Sequence, residues 1–318
     1  MAVVGRRLHP PAIGLVVAAA IAGCAKPSST APTPAATTEP ASAGCAKCHA
    51  DATREWEASL HRRAFDDRDF QIAFRAEPLD FCFRCHAPEA RDRADARGAS
   101  MGVGCTSCHD APAAHAERRA RATTTRCEGC HELTFPGRSE LLQSTGSEHA
   151  ASPFASVACA ECHAPPRAGG GHDHRFAASR DPGMLRRAVP APAVRIEGGA
   201  FVVHLAPGAV GHAVPTGDLF RALVVRVFVE DDRGISDARE IRLERVWDPA
   251  RAPGARCAEL ADSRLTGERD VAFPLDSPTR VRRVFWSVVY ERGAFVRAGA
   301  ATPFDRTVLH EDTLEVSR

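Results

Sequence analysis

The sequence predicts a multidomain chain of two unlike folded parts: a mainly α or irregular one with little apolar side chain of its own, then an all-β sandwich. Three observations carry this. A C-x-x-C-H pattern occurs five times between residues 45 and 163 and not again. Beyond Arg187 the composition turns to β-branched and aromatic runs broken by turn residues. Ahead of both lies a short apolar run and then a Pro, Ala, Ser and Thr stretch that cannot bury enough surface to fold.

The five copies are Cys45/Cys48/His49, Cys82/Cys85/His86, Cys105/Cys108/His109, Cys127/Cys130/His131 and Cys159/Cys162/His163. Each has the spacing of a c-type haem attachment site. Two thiols three positions apart can form thioethers to the two vinyl groups of one porphyrin, and the following imidazole then meets the iron from one face. Structural zinc also uses C-x-x-C, but it wants a second C-x-x-C or a spaced His pair, and it leaves five adjacent histidines unexplained. The expected cofactor is five covalently attached haem c. Ten of the twelve cysteines are thereby used, so disulfides are not the framework.

A formal charge of +1 on 318 residues gives no sign of a nucleic-acid partner. Residues 1–23 have the layout of a lipoprotein signal: Arg6 and Arg7, an apolar run from Ala12 to Ile21, and Ile21-Ala22-Gly23-Cys24. That run is well short of the ~20 residues a spanning helix needs. Ile-Ala-Gly-Cys resembles the lipoprotein box, which makes Cys24 the lipidation site. Residues 24–43 then read as a disordered tether. The expected location is the periplasmic or cell-surface side of a bacterial membrane, held by the lipid, with an outer membrane the favoured surface.

Residues 44–180 form the expected pentahaem domain. With so many motifs in so short a stretch, the porphyrins themselves must serve as core, wrapped by short helices at Ala52–Arg63, Pro88–Arg97 and Ala113–Arg121. The sixth iron ligand decides between electron transfer and chemistry, since His on both faces leaves no open position. Mature histidines outside the motifs are His61, His115, His149, His172, His174, His204, His212 and His310. Methionine is nearly absent, with only Met101 and Met184 after the first residue, so Met ligation is at most a minority case.

Four stretches resemble the multihaem cytochromes c related to cytochrome c-554, several of which carry a C-terminal β-domain. Trp56-Glu-Ala-Ser59-Leu-His61 is similar to that family's W-x-x-S-x-H. Gly102-Val-Gly-Cys105 through His109, with His115 six residues on, is similar to its G-V-x-C-x-x-C-H. His172-Asp-His174-Arg-Phe176 resembles a His-Arg-Phe segment, and Gly211-His212-Ala-Val-Pro215-Thr216-Gly217 resembles G-H-x-x-P-T-G. The resemblance implies His61, His115, His174 and His212 as distal ligands, with His149 as the fifth. Asp110 and Ala164-Pro165-Pro166 depart from the family's pattern near the third and fifth motifs.

Residues 181–318 read as an immunoglobulin-like sandwich. Strands are expected at 200–205, 223–230, 241–247, 271–275 and 281–291, with turns at Glu197-Gly198-Gly199, Asp231 to Gly234 and Arg292-Gly293. The Gly211–Gly217 loop would project His212 toward the haem domain. His204, His310 and Cys257 read as ordinary residues.

The function expected is single-electron transfer along bis-His haems between redox partner proteins, with membership of a larger respiratory complex open. The alternative is a multihaem oxidoreductase with one open iron acting on a small nitrogen or oxygen species. Two absences count against its familiar forms. The only lysines are Lys26 and Lys47, so there is no C-x-x-C-K site, and the single tyrosine, Tyr290, lies far along the β-domain. No catalytic residue is assigned.

Overall fold

The computed structural model describes residues 41–109, 124–134, 141–217, 220–247, 258–294 and 302–316. Residues 39–318 form one compact unit. The signal, Cys24 and residues 24–40 of the expected tether lie outside the described residues, as do His115, Cys257 and the helix expected at Ala113–Arg121; residues 41–43, expected in the tether, belong instead to a 3-10 turn, with Ser42 buried and its N–H on Glu89 Oε2 (3.1 Å).

Short helices dominate the first half: α1 (Ala50–Glu57), α2 (Arg68–Ala76), α3 (Phe83–His86), α4 (Ala96–Ser100), α5 (Cys105–Cys108), α6 (Thr124–His131), α7 (Thr145–Ala150), α8 (Cys159–His163) and α9 (Pro182–Ala188). A 3-10 turn at Ala41–Lys47 carries the first motif, and the strand pair β1 (Glu132–Thr134) and β2 (Leu141–Ser144) interrupts the series. Four of the five motifs end on a helical turn, which places Cys, Cys and His on one side of a single coil.

Two expected helices come out shorter. The first stops at Glu57: Ser59, itself buried, takes the Arg62 N–H on its Oγ (3.2 Å) and turns the chain before His61. The helix expected at Pro88–Arg97 begins only at Ala96. Asp92 Oδ1 accepts from the N–H groups of Ala94 (2.8 Å) and Asp95 (3.0 Å), and Asp95 then caps α4 through Gly98 N. Aspartate bonded to the backbone ahead of it favours a turn over continued helix.

The second half is two antiparallel sheets. β3 (Ala193–Glu197), β4 (Ala200–Leu205) and β9 (Arg269–Pro274) make a three-stranded sheet in the order β3-β4-β9. The larger sheet holds β5 (Arg221–Asp231), β6 (Gly234–Ile235), β7 (Arg239–Trp247), β8 (Glu259–Asp262), β10 (Arg283–Ala294) and β11 (Thr302–Glu315), in the order β11-β10-β5-β7-β8 with β6 hairpinned onto β5. The five expected strands correspond to β4, β5, β7, β9 and β10. Alternation puts Leu223, Val225 and Val227 of β5, Val284 and Val288 of β10 and Leu243 of β7 into one core with Phe201, Val203, Leu205, Val271 and Phe273 of the other sheet.

The halves differ in how they hold together. Nearly every large buried apolar side chain belongs to the sandwich, whereas the described residues ahead of α9 bury Trp56, Leu142 and a few alanines. The first half lacks a side-chain core of ordinary density, as expected of a part built around large prosthetic groups.

Candidate functional site

The motif helices bring imidazoles of distant sequence within a few ångströms of one another. His131 lies opposite His61, with ring centres 6.3 Å apart; His109 lies opposite His174 at 6.2 Å; His163 lies opposite His212 at 6.3 Å. Two imidazoles bound to one metal from opposite sides, each with a metal–nitrogen bond of about 2.0–2.1 Å and about 1.1 Å from nitrogen to ring centre, have centres about 6.3 Å apart. Each pair joins a motif histidine to one from another part of the chain, at the separation that two ligands of one iron would have.

Hydrogen bonding leaves the ring nitrogens suited to that role. His212 Nδ1 bonds the Ala213 carbonyl (3.0 Å), His163 Nδ1 that of Ala177 (2.8 Å), His174 Nδ1 that of His172 (2.9 Å), and His86 Nδ1 that of Ala64 (2.8 Å). A carbonyl only accepts, so the proton sits on Nδ1 and the lone pair on Nε2 is left for a metal, the usual arrangement of a ligating histidine. His131 differs: Gln143 Nε2–H donates to its Nδ1 (3.0 Å), so no carbonyl fixes its tautomer. Burial lowers the basicity of His61 and of His131 to a pKa of about 4, with the neighbouring imidazoles as the next cause. His174 and His212 shift down for the same first reason. These rings are neutral at physiological pH, as iron requires.

His61 and His174 are each held by hydrogen bonds to distant parts of the chain. Trp56 Nε1–H donates to the Val103 carbonyl (2.8 Å), and Val103 N–H donates to the His61 carbonyl (2.8 Å), so W-x-x-S-x-H is locked to Gly-Val-Gly. Gly102 has φ +59° and lies hard against the His61 and Arg62 carbonyls, where a Cβ would collide. His174 N–H donates to Glu55 Oε2 (3.0 Å), whose other oxygen pairs with Arg167 (3.0 Å). Phe176, at φ +51°, packs against both His61 (4.5 Å between centres) and His174 (5.8 Å) and so lies between two of the imidazole pairs.

Other histidines fall as follows. His149 presses its ring on Gly211, near the Cys159 thiol and His212, and pairs with no proximal ring among the described contacts. His172 was passed over by sequence reasoning, yet its Nδ1 bonds the Ala164 carbonyl (2.6 Å) like those of the ligand-type histidines. His86 stacks on Phe70 (3.8 Å) beside Phe65, Phe74 and Phe83. His204 pairs with Asp270 (2.7 Å), and His310 Nε2–H donates to the Val189 carbonyl (2.7 Å).

Thiols of different motifs also meet. Cys45 lies beside Cys105, Cys85 beside Cys130, and Cys127 beside Cys159, each within hydrogen-bonding reach. Helix α6, with the fourth motif, touches α3, α5 and α8, which carry the second, third and fifth.

Of the ten motif thiols, Cys48 and Cys162 are exposed, whereas Cys45, Cys82, Cys85, Cys105, Cys108, Cys127, Cys130 and Cys159 are half-buried.

Residues 44–110 match the family described as cytochrome c554 and c-prime, and residues 97–169 match cytochrome c3. No curated protein sequence matches the chain. Among solved structures, a penta-heme cytochrome c552 from Thermochromatium tepidum superposes with a TM-score of 0.67 at 20% identity, covering 86% of this chain and 97% of that one. At that identity the likeness is one of fold, and it extends through the sandwich. No described helix is long and apolar enough to cross a membrane.

Proposed function

We propose, from the premise that this chain is a multihaem c-type cytochrome, that it is an exported, lipid-anchored pentahaem carrier of single electrons between redox partner proteins. The observation that carries the reading is the set of three imidazole pairs at 6.3, 6.2 and 6.3 Å. An iron held by nitrogen on both faces supplies one-electron transfer and has no free position for a substrate. The chain's own part is to fix the rings: backbone carbonyls hold the tautomers of His163, His174 and His212, and burial favours the neutral form of His61, His131, His174 and His212.

The five motifs and the penta-heme neighbour support a count of five. Proximal ligands on this reading are His49, His86, His109, His131 and His163, with His61, His174 and His212 opposite three of them and His115 and His149 for the remainder. The thiol contacts support a relay in which the first motif neighbours the third, and the fourth neighbours the second, third and fifth. Cys24 and residues 24–43 support tethering to a membrane surface outside the cytoplasm, where the partners are other redox proteins or a larger respiratory complex.

Low-temperature EPR of the oxidised mature protein, with spins counted against total haem, tests the carrier reading. Five low-spin centres are expected. A stoichiometric high-spin signal overturns it and points to an oxidoreductase with one open iron. Replacing Cys24 by Ser should move the protein from the membrane to the soluble fraction.

A further inference from the structure

We infer that Glu148 and Arg264 are positioning residues for His212, an ion pair between the sandwich and α7 that sets how far this imidazole reaches. The inference rests on the reading of His212 as the ligand opposite His163. His212 stands in the long connection between β4 and β5, with no regular structure of its own to aim it.

The residues after it are held one by one. Ala213 N–H donates to Glu148 Oε2 (3.0 Å). Val214 exchanges both backbone hydrogen bonds with Leu265 (3.0 and 2.9 Å), the neighbour of Arg264. Arg264 reaches the Pro215 carbonyl (3.4 Å), and the Thr216 hydroxyl meets that of Thr145 on α7 (2.7 Å). Glu148 and Arg264 tie these holds together. Arg264 Nη2 donates to Glu148 Oε1 (2.6 Å) and to Asp262 (2.7 Å), and Ser144 Oγ donates to the same Glu148 oxygen (2.6 Å).

Both members are largely removed from water, with side chains 17% and 7% exposed. Such a pair is a poor source of stability, because desolvation offsets most of its attraction. What it provides is placement. One carboxylate oxygen grips the N–H next to the ligand while the other is fixed by a cation from the opposite half. Outer partners of this kind set ligand orientation at metal sites.

The test compares E148A, E148Q, R264A, the double variant E148A/R264A and H212A in the full haem-loaded protein, by spin-counted EPR and imidazole titration. E148A and R264A should each lose low-spin intensity at one centre, with matching high-spin intensity that added imidazole converts back. The double variant should lose no more than the worse single, since the two residues act as one clamp. E148Q keeps an acceptor for Ala213 and should show a partial loss. It also keeps the test readable if E148A loses the sandwich. Full low-spin intensity in E148Q and R264A, with H212A losing one centre, overturns the proposal. Full low-spin intensity in H212A overturns the ligand reading beneath it instead.

Discussion

Truncating His61 to alanine isolates what one imidazole does. The backbone around it is fixed by groups the substitution leaves in place: Val103 N–H on the His61 carbonyl (2.8 Å), Ser59 Oγ under Arg62 N–H (3.2 Å) and Trp56 Nε1–H on Val103 (2.8 Å). The loop therefore stays, and a ring-sized gap opens across from His131, whose centre lay 6.3 Å away. On the proposed reading one ligand of one of five irons is removed, so about one fifth of the low-spin intensity should convert to high-spin. The gap costs about 2–4 kcal/mol in stability, since the ring also leaves Phe176 at 4.5 Å. Spin-counted EPR reads the first quantity and chemical unfolding the second, and free imidazole should fill the gap and restore the low-spin signal. Trp56→Phe is the graded companion: it keeps the packing, drops one hydrogen bond worth about 1 kcal/mol and should leave a mixed-spin centre. Retention of the whole low-spin complement in His61→Ala, or loss at two or more centres, would refute the reasoning.

Three further outcomes are expected. Gly102→Ala should mimic His61→Ala in part, because a Cβ at φ +59° collides with the His61 carbonyl; EPR and a loss of about 1–3 kcal/mol in unfolding check it. Arg221 lies near His131 and belongs to a group of cations with Arg180 and Arg292. Arg221→Gln should lower one midpoint potential in a spectroelectrochemical titration, because removing a nearby positive charge favours the oxidised state, and Arg221→Lys should restore most of it. Glu291 is buried in the larger sheet between Arg226 (2.8 Å), Arg242 (2.7 Å) and Arg306 (2.9 Å). Glu291→Ala should destabilise the sandwich by about 3 kcal/mol in a denaturant titration, the low end for a buried pair broken from one side, because Arg242 and Arg306 keep partial contact with water.

What the sequence made legible follows from the range of the forces involved. Haem attachment needs two thiols and an imidazole at fixed short spacing, so the five sites stand out without any knowledge of the fold. The strands were readable because β-branched alternation is a local signal. The helix expected at Pro88–Arg97 was misjudged because one aspartate side chain, Asp92, redirects the backbone, and helix propensity averages over that. Motif context singled out His61, His174 and His212, but not which histidine each would face. His61 meets the fourth motif, seventy positions away, through contacts that exist only after folding. Arg264 and Glu148, 116 positions apart, gave no signal at all.

The sandwich gains a physical purpose from these contacts. A loop holds a side chain accurately only when a rigid frame fixes its ends, and the first half, with few buried apolar side chains, has little such frame of its own. His212 stands between two strands whose inner faces are fully buried, and its loop is bonded on the far side to Leu265, itself 1% exposed in the same core. Arg245 of β7 adds a second fastening, donating to the Leu141 and Leu142 carbonyls (2.6 and 2.7 Å) on β2, just ahead of the helix that bears Glu148. On the reading of His212 as the ligand opposite His163, a domain without a cysteine motif acts on the first half by holding one imidazole at a fixed distance, and the packing of the sandwich sets the accuracy of that distance.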